Sequence, residues 1–201
     1  MDNLKIAIQR KGRLAGPSER FLRSKGLEFD QDSGRLAVVC KNFPADIIKV
    51  RDDDIPKYVS ESLVDFGIVG LNVLEESGFK ARVLKRLGFC KCSLKIAVPA
   101  KSGMTKISDL DGKRIATSYP RILRDFLSAN NTRAEIVTVS GSVEIAPYLQ
   151  AAEAVCDLVE TGSTLKQFDL VPITTVMKSE AVLIESLNSK NQFLDKLNQL
   201  L

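Results

Sequence analysis

Short strand-type runs and helical segments alternate along this sequence, and the alternation begins afresh near its midpoint. Residues 4–9 alternate as a strand, 11–14 form a basic turn, and 17–25 have helical spacing ended by Gly26. Strands are expected at 36–40 and 46–50, then a helix from the acidic run Arg51-Asp52-Asp53-Asp54-Ile55-Pro56 to about residue 62. Further strands follow at 66–69, 83–87 and 94–98. After Pro99 the pattern restarts, with strands at 113–117, 135–139 and 154–159 and helices at 122–129 and 143–152. Strands at 172–177 and 181–184 return the chain, and 191–201 reads as a closing amphipathic helix. Such alternation predicts an α/β protein with largely parallel sheets. It divides into two lobes, residues 1–95 plus 178–201 and residues 96–177. Ligands of such folds bind at the carboxyl ends of strands, so the site is expected in the cleft between the lobes.

The chain has no histidine. Catalysis by Ser-His or Cys-His pairs, histidine general bases and histidine-ligated metals are therefore excluded. What remains is arginine, lysine, carboxylates, hydroxyls and backbone amides. That set suits reactions of activated phosphates, which need charge stabilisation more than proton transfer. The formal net charge of +4 suits small anions and gives no argument for nucleic acid. No apolar run reaches membrane-spanning length, and Met1-Asp2-Asn3-Leu4-Lys5 leads directly into a strand without an export signal, so a cytoplasmic protein is expected. Cys40, Cys90, Cys92 and Cys156 are expected to be buried reduced thiols, with Cys90 and Cys92 on one face of a strand.

The stretch Asp157-Leu158-Val159-Glu160-Thr161-Gly162-Ser163-Thr164-Leu165 carries the most chemistry. It joins an apolar strand to a helix through a turn of small hydroxyl residues. Such a junction offers unpaired backbone amides and the positive end of the helix dipole to an anion. Thr161, Ser163 and Thr164 add hydroxyls, Gly162 allows close approach, and Asp157 and Glu160 suit ribose hydroxyls or Mg²⁺. A sugar-phosphate cradle and an ordinary capped turn both fit these nine residues alone. The same two readings apply to the other motifs taken singly. Lys11-Gly12-Arg13 is a cationic turn after the first strand, and Arg35 precedes a later strand. Asp65 through Gly70 ends a strand with Gly67 and Gly70, Ser140 through Glu144 is a small-residue turn into a helix, and residues 113–120 end in hydroxyls and an aromatic. Neither a Gly-x-x-x-x-Gly-Lys-Ser/Thr loop nor a Gly-x-Gly-x-x-Gly fingerprint occurs.

Taken together and in order, Lys11 to Leu14, Arg51 to Pro56, Asp65 to Gly70, Gly112 to Pro120, Ser140 to Pro147 and Asp157 to Leu165 resemble the ATP phosphoribosyltransferases of histidine biosynthesis. The resemblance implies a two-lobed fold like the type II periplasmic binding proteins. It implies transfer of the phosphoribosyl group of phosphoribosyl pyrophosphate (PRPP) to N1 of the adenine of ATP, with loss of pyrophosphate and with Mg²⁺ as cofactor. Asp157, Glu160, Thr161, Gly162, Ser163 and Thr164 would then hold PRPP. Arg13, Arg35 and Lys11 would neutralise pyrophosphate, and Gly12, Gly67, Gly70, Ser142 and Glu144 would shape the nucleotide pocket. No metal ligands are assigned. Asn72 stands where an acidic residue is usual in the family.

With the sequence ending at Leu201, the resemblance leads to the expectation that the chain is without the C-terminal histidine-binding domain of the family's long form. It is expected to be either a true short form, partnered by a subunit resembling histidyl-tRNA synthetase, or the core of a long form, which implies a homodimer. Two non-catalytic alternatives stand beside the enzyme: a two-lobe solute-binding module and a regulator that binds ATP without chemistry.

Overall fold

The computed structural model describes residues 3–30 and 34–187. The chain divides into two compact units, one formed up to Cys90 and again from Glu180, the other by Lys91–Ser179. The first unit contains β1 (Leu4–Gln9), α1 (Ala15–Ser24), β2 (Ala37–Val39), β3 (Ala45–Val50), α2 (Ile55–Ser60), β4 (Phe66–Gly70), α3 (Leu71–Ser77) and β5 (Arg82–Arg86). The second contains β6 (Cys92–Pro99), β7 (Arg114–Thr117), α4 (Pro120–Ala129), β8 (Glu135–Thr138), β9 (Ala154–Val159), α5 (Ser163–Gln167) and β10 (Leu170–Ser179). With β11 (Ala181–Glu185) the chain returns to the first unit. The division falls at 90/91 and 179/180 rather than at 95/96 and 177/178, because β6 and β10 pair along their lengths within the second unit. Among the described residues no helix is long and apolar enough to cross a membrane.

The sheets are mixed, not largely parallel. In the first, ordered β2-β3-β1-β4-β11-β5, β1 is parallel to both β3 and β4, whereas β2 and β11 run against their neighbours. In the second, ordered β10-β6-β9-β7-β8, β7 is parallel to β8 and β9, while β6 is antiparallel to β9 and to β10. Helical crossovers impose parallel pairing only on the strands they join directly. The strands near each crossing between units enter without such a crossover.

Alternation along the strands of the second unit sorts side chains onto two faces. Leu94, Ile96, Ile115, Ala154 and Cys156 pack on the α4 side with Leu123 and Leu127. Ala97, Ala116 and Val155 face the other way, with Val143, Leu165 and Leu170. The expected helix at 143–152 is instead a 3₁₀ turn, Val143–Ile145, followed by turns. Pro147 supplies no N–H to a longer helix, and Ser142 and Gln150 both adopt positive φ. The short helix α3 was not foreseen; its signals are Leu71 and Leu74 on one face and Gly78, a left-handed stop. The helix expected at 191–201 lies outside the described residues.

Three cysteines are buried, whereas Cys90 is half-buried and precedes β6 at φ 52, so it does not share a strand face with Cys92. Burial pushes the Cys40 thiol up to about 11, with the Asp46 charge adding.

Gly67 is fully enclosed in β4. A Cβ there would lie 2.5 Å from Ile55 Cγ2 and 3.0 Å from Val59 Cγ2, both on α2, and 3.3 Å from Ile184 Cγ1. Close packing of α2 on the sheet thus accounts for the glycine. Gly67→Ala is expected to lower the unfolding free energy measured by urea titration by about 1–3 kcal/mol. Combined with Ile55→Ala, the loss should fall short of the sum of the single losses, because the second change removes the clashing methyl. Strict additivity would refute this account of the position.

Candidate functional site

In the first unit, parallel pairing brings the carboxyl ends of β1, β3 and β4 to one edge of the sheet. The Lys11-Gly12-Arg13 turn leaves β1 there, tied to β3 by the Arg10 N–H donating to the Val50 carbonyl at 2.7 Å. Gly12 has φ 119, in the region that only glycine enters freely. Arg35 reaches the same edge from another direction. It precedes β2, which runs against β3, and the Lys49 N–H donates to the Leu36 carbonyl at 2.7 Å. All three cations are exposed. Asp30 is held below the usual carboxylate range by its hydrogen bond to Lys41, with the fields of Arg35 and Arg23 adding.

Gly70 closes β4 on this edge and caps α3. A Cβ on it would come within 2.7 Å of Asn72 Oδ1, so the buried Asn72 side chain explains this glycine. The run after β3 is a 3₁₀ turn, Asp52–Asp54. Burial raises the Asp53 pKa, and Asp52 and Asp54 push the same way.

In the second unit β7, β8 and β9 likewise end on one edge. The loops there are stitched together. Thr117, fully buried, donates from Oγ1 to the Cys156 carbonyl at 2.7 Å and accepts the Tyr119 N–H at 2.9 Å. Ser118 Oγ donates to the Val139 carbonyl at 2.8 Å.

The β9 loop turns at Gly162, φ 80, into α5. No side chain caps α5, so the loop leaves its leading amides for another acceptor. Thr161 Oγ1 and Ser163 Oγ lie 3.1 Å apart, and Glu160, Thr161, Ser163 and Thr164 are exposed while Leu165 anchors the turn in the core. Asp157, inside β9, behaves differently. Burial pushes its carboxyl up to about 6, the Leu158 N–H at 2.8 Å opposes this, and the Glu144 charge adds to it. Glu144 also borders a cavity of about 470 Å³ with Tyr148, Phe168 and Leu170.

A family model described as HisG, ATP phosphoribosyltransferase, matches residues 51–201. The chain belongs to this family. It is 47% identical over 180 residues to the ATP phosphoribosyltransferase of Cytophaga hutchinsonii, covering 90% of this chain and 63% of that protein. With the enzyme of Maricaulis maris it shares 46% over 187 residues, covering 90% and 64%. The chain thus spans less than two thirds of the length of these relatives. Among solved structures, the ATP phosphoribosyl transferase (HisG:HisZ) complex from Thermotoga maritima matches with a TM-score of 0.83 and 26% identity, over 98% of this chain and 96% of that one. The alkanesulfonate-binding protein SsuA from Xanthomonas axonopodis pv. citri, bound to MOPS, matches at TM-score 0.59 and 15% identity, over 100% of this chain and 72% of that one. At that identity the likeness concerns fold alone, and it agrees with the two-lobed α/β architecture expected for the phosphoribosyltransferase family.

The expected residues therefore fall into two groups, each on one sheet edge: Lys11, Gly12, Arg13, Arg35 and Gly70 in one unit, and Ser142, Glu144, Asp157 and residues 160–164 in the other. Gly67 stands apart, its requirement met by internal packing. Sequence reading singled out the hydroxyls of residues 113–120, Thr117 among them, but overlooked Gln9, whose signal was a polar residue ending a buried strand.

Because the Asp157 pKa is raised on folding, its contribution to stability is full below the unfolded value near 4 and is lost as pH rises through about 6. Asp157→Asn keeps an acceptor for the Leu158 N–H and removes the buried charge. It is expected to stabilise the protein by roughly 1–2 kcal/mol at pH 7.5, with no gain at pH 4. Thermal melts at the two pH values test this, and a gain independent of pH would refute it.

Proposed function

We propose that the chain transfers the phosphoribosyl group of PRPP to N1 of the adenine of ATP and releases pyrophosphate. Membership in the phosphoribosyltransferase family, across most of the chain, is the observation that carries this reading. The uncapped, hydroxyl-rich turn after β9 supports it.

In this reading Thr161, Ser163, Thr164 and the amides at the start of α5 receive the 5-phosphate, and Gly162 allows its approach. Asp157 and Glu160 accept hydrogen bonds from the ribose hydroxyls. Ser142 and Glu144 face the nucleotide, the carboxylate accepting from the exocyclic amine of adenine. The neighbouring cavity offers apolar surface to a ring. Gly12 keeps its edge low where the ligand's phosphates approach.

N1 of adenine already carries a lone pair, so no base is required. The bond from ribose C1 to the pyrophosphate oxygen breaks as N1 bonds to C1, and the electron pair leaves on pyrophosphate. Lys11, Arg13 and Arg35 receive that charge. A histidine-free chain is equipped for this.

Among the described residues no cluster of three or more acidic or cysteine side chains could hold a metal by itself. Mg²⁺ would arrive with the phosphates of PRPP, with Asp157 or Glu160 adding a carboxylate. When bound, Mg²⁺ would offset phosphate charge.

The complex named for the Thermotoga maritima structure supports a partner subunit of the HisZ type for this chain, the alternative being a homodimer. Work in the cytoplasm follows from the substrates proposed.

The purified chain, with its partner subunit where one exists, is expected to convert ATP and PRPP with Mg²⁺ into the ATP–phosphoribose adduct, seen by mass spectrometry with pyrophosphatase present. Binding of a small solute without turnover or PRPP affinity would establish a solute-binding module instead. Thr161→Val with Thr164→Val should raise KM for PRPP while the fold is retained. Arg13→Ala should lower kcat by roughly 10²–10³, the scale of one lost electrostatic donor. Unchanged PRPP kinetics in the folded double variant would remove the loop assignment.

A further inference from the structure

Two side chains outside the substrate contacts hold the cationic turn of the first unit. Gln9 ends β1 and is 9% exposed. Its Oε1 accepts the Leu14 N–H at 2.9 Å, spanning the turn from the last residue of β1 to the residue before α1. The turn lies directly against this amide, since a Cβ on Gly12 would sit 2.8 Å from Gln9 Nε2. From the other side, Cys90 Sγ donates to the Arg13 carbonyl at 3.4 Å, 77 residues away in sequence. Cys90 does so from φ 52, a conformation costly for a residue with a Cβ. Its position is secured by packing beside Phe89, which meets Phe21 of α1 with ring centroids 6.3 Å apart. Lys11 and Arg13 project from a backbone whose far end is clamped by Gln9 and whose Arg13 carbonyl is clamped by Cys90.

We propose that Gln9 and Cys90 are positioning residues for the pyrophosphate-binding cations, acting through the backbone of the Lys11-Gly12-Arg13 turn. The inference rests on the phosphoribosyltransferase reading given above. A long cation on an unrestrained turn loses conformational freedom when it binds an anion. A turn fixed beforehand has already met that cost.

Pyrophosphate itself is the probe, with its dissociation constant measured by calorimetry on the full chain, alongside kcat and both KM values. Gln9→Met keeps the length of the side chain and removes the acceptor. It should weaken pyrophosphate about tenfold, the scale of one lost buried hydrogen bond, and lower kcat, with KM for ATP within about twofold of the starting protein. Cys90→Ala should move the same quantities the same way by a few-fold. Cys90→Ser, which keeps a donor, should restore them. A purely structural role would lower the melting temperature without separating pyrophosphate from ATP. If Gln9→Met does not fold, the Cys90 pair decides the matter. Normal pyrophosphate affinity and kcat in folded Gln9→Met and Cys90→Ala overturn the positioning role while leaving the reaction intact. A starting protein that neither turns over nor binds pyrophosphate overturns the reaction and the inference with it.

Discussion

Parallel pairing at the centre of each sheet determines where chemistry can occur in this molecule. β1 lies between β3 and β4, and β7 between β8 and β9, with all three strands of each group running in one direction. Strands that share a direction release their following loops on one edge. Segments distant in sequence, such as the turn after Gln9 and the run after Val50, or the loops after Thr117 and Val159, are neighbours for that reason. The antiparallel strands at the flanks widen the sheets, and because β2 runs against β3 the segment that precedes it, with Arg35, meets the same edge.

Two carboxylates of the second unit show how surroundings move a carboxyl pKa in opposite directions. Glu153 stands before β9, where Arg114 Nη2 meets its Oε1 at 2.5 Å, and this hydrogen bond holds the carboxyl down to about 2. Both side chains keep over a third of their surface exposed, so the pair adds little stability. Asp157 lies further along the same strand, where burial and Glu144 work against its ionised form. A folded protein gains nothing from that arrangement by itself.

The glycines illustrate how much a sequence motif leaves undecided. Gly12, Gly67 and Gly162 all stand in stretches that fit close approach to a ligand. Gly12 and Gly162 have positive φ and turn the chain at an edge. Gly67 is an ordinary strand residue whose missing side chain makes room for Ile55 and Val59. Packing density, not ligand contact, makes glycine necessary there. The four letters Gly-Ile-Val-Gly read the same in either case.

The sequence alone determined the α/β class, the two-part division, the absence of histidine chemistry and the family, because these depend on local periodicity, composition and ordered short motifs. Strands 4–9, 66–69 and 154–159 were legible because buried β1, β4 and β9 are short runs of β-branched and apolar residues bounded by turns. The helix expected at 143–152 gives way to a 3₁₀ turn at Val143–Ile145, where Pro147 supplies no N–H for its continuation. Mixed strand direction, the exact unit boundaries, the enclosure of Gly67, the raised pKa of Asp157 beside Glu144, and the clamp of Gln9 and Cys90 on the basic turn were decided only by tertiary structure. Each depends on which residues far apart in sequence come within a few ångströms, and spacing along a chain carries no record of that distance.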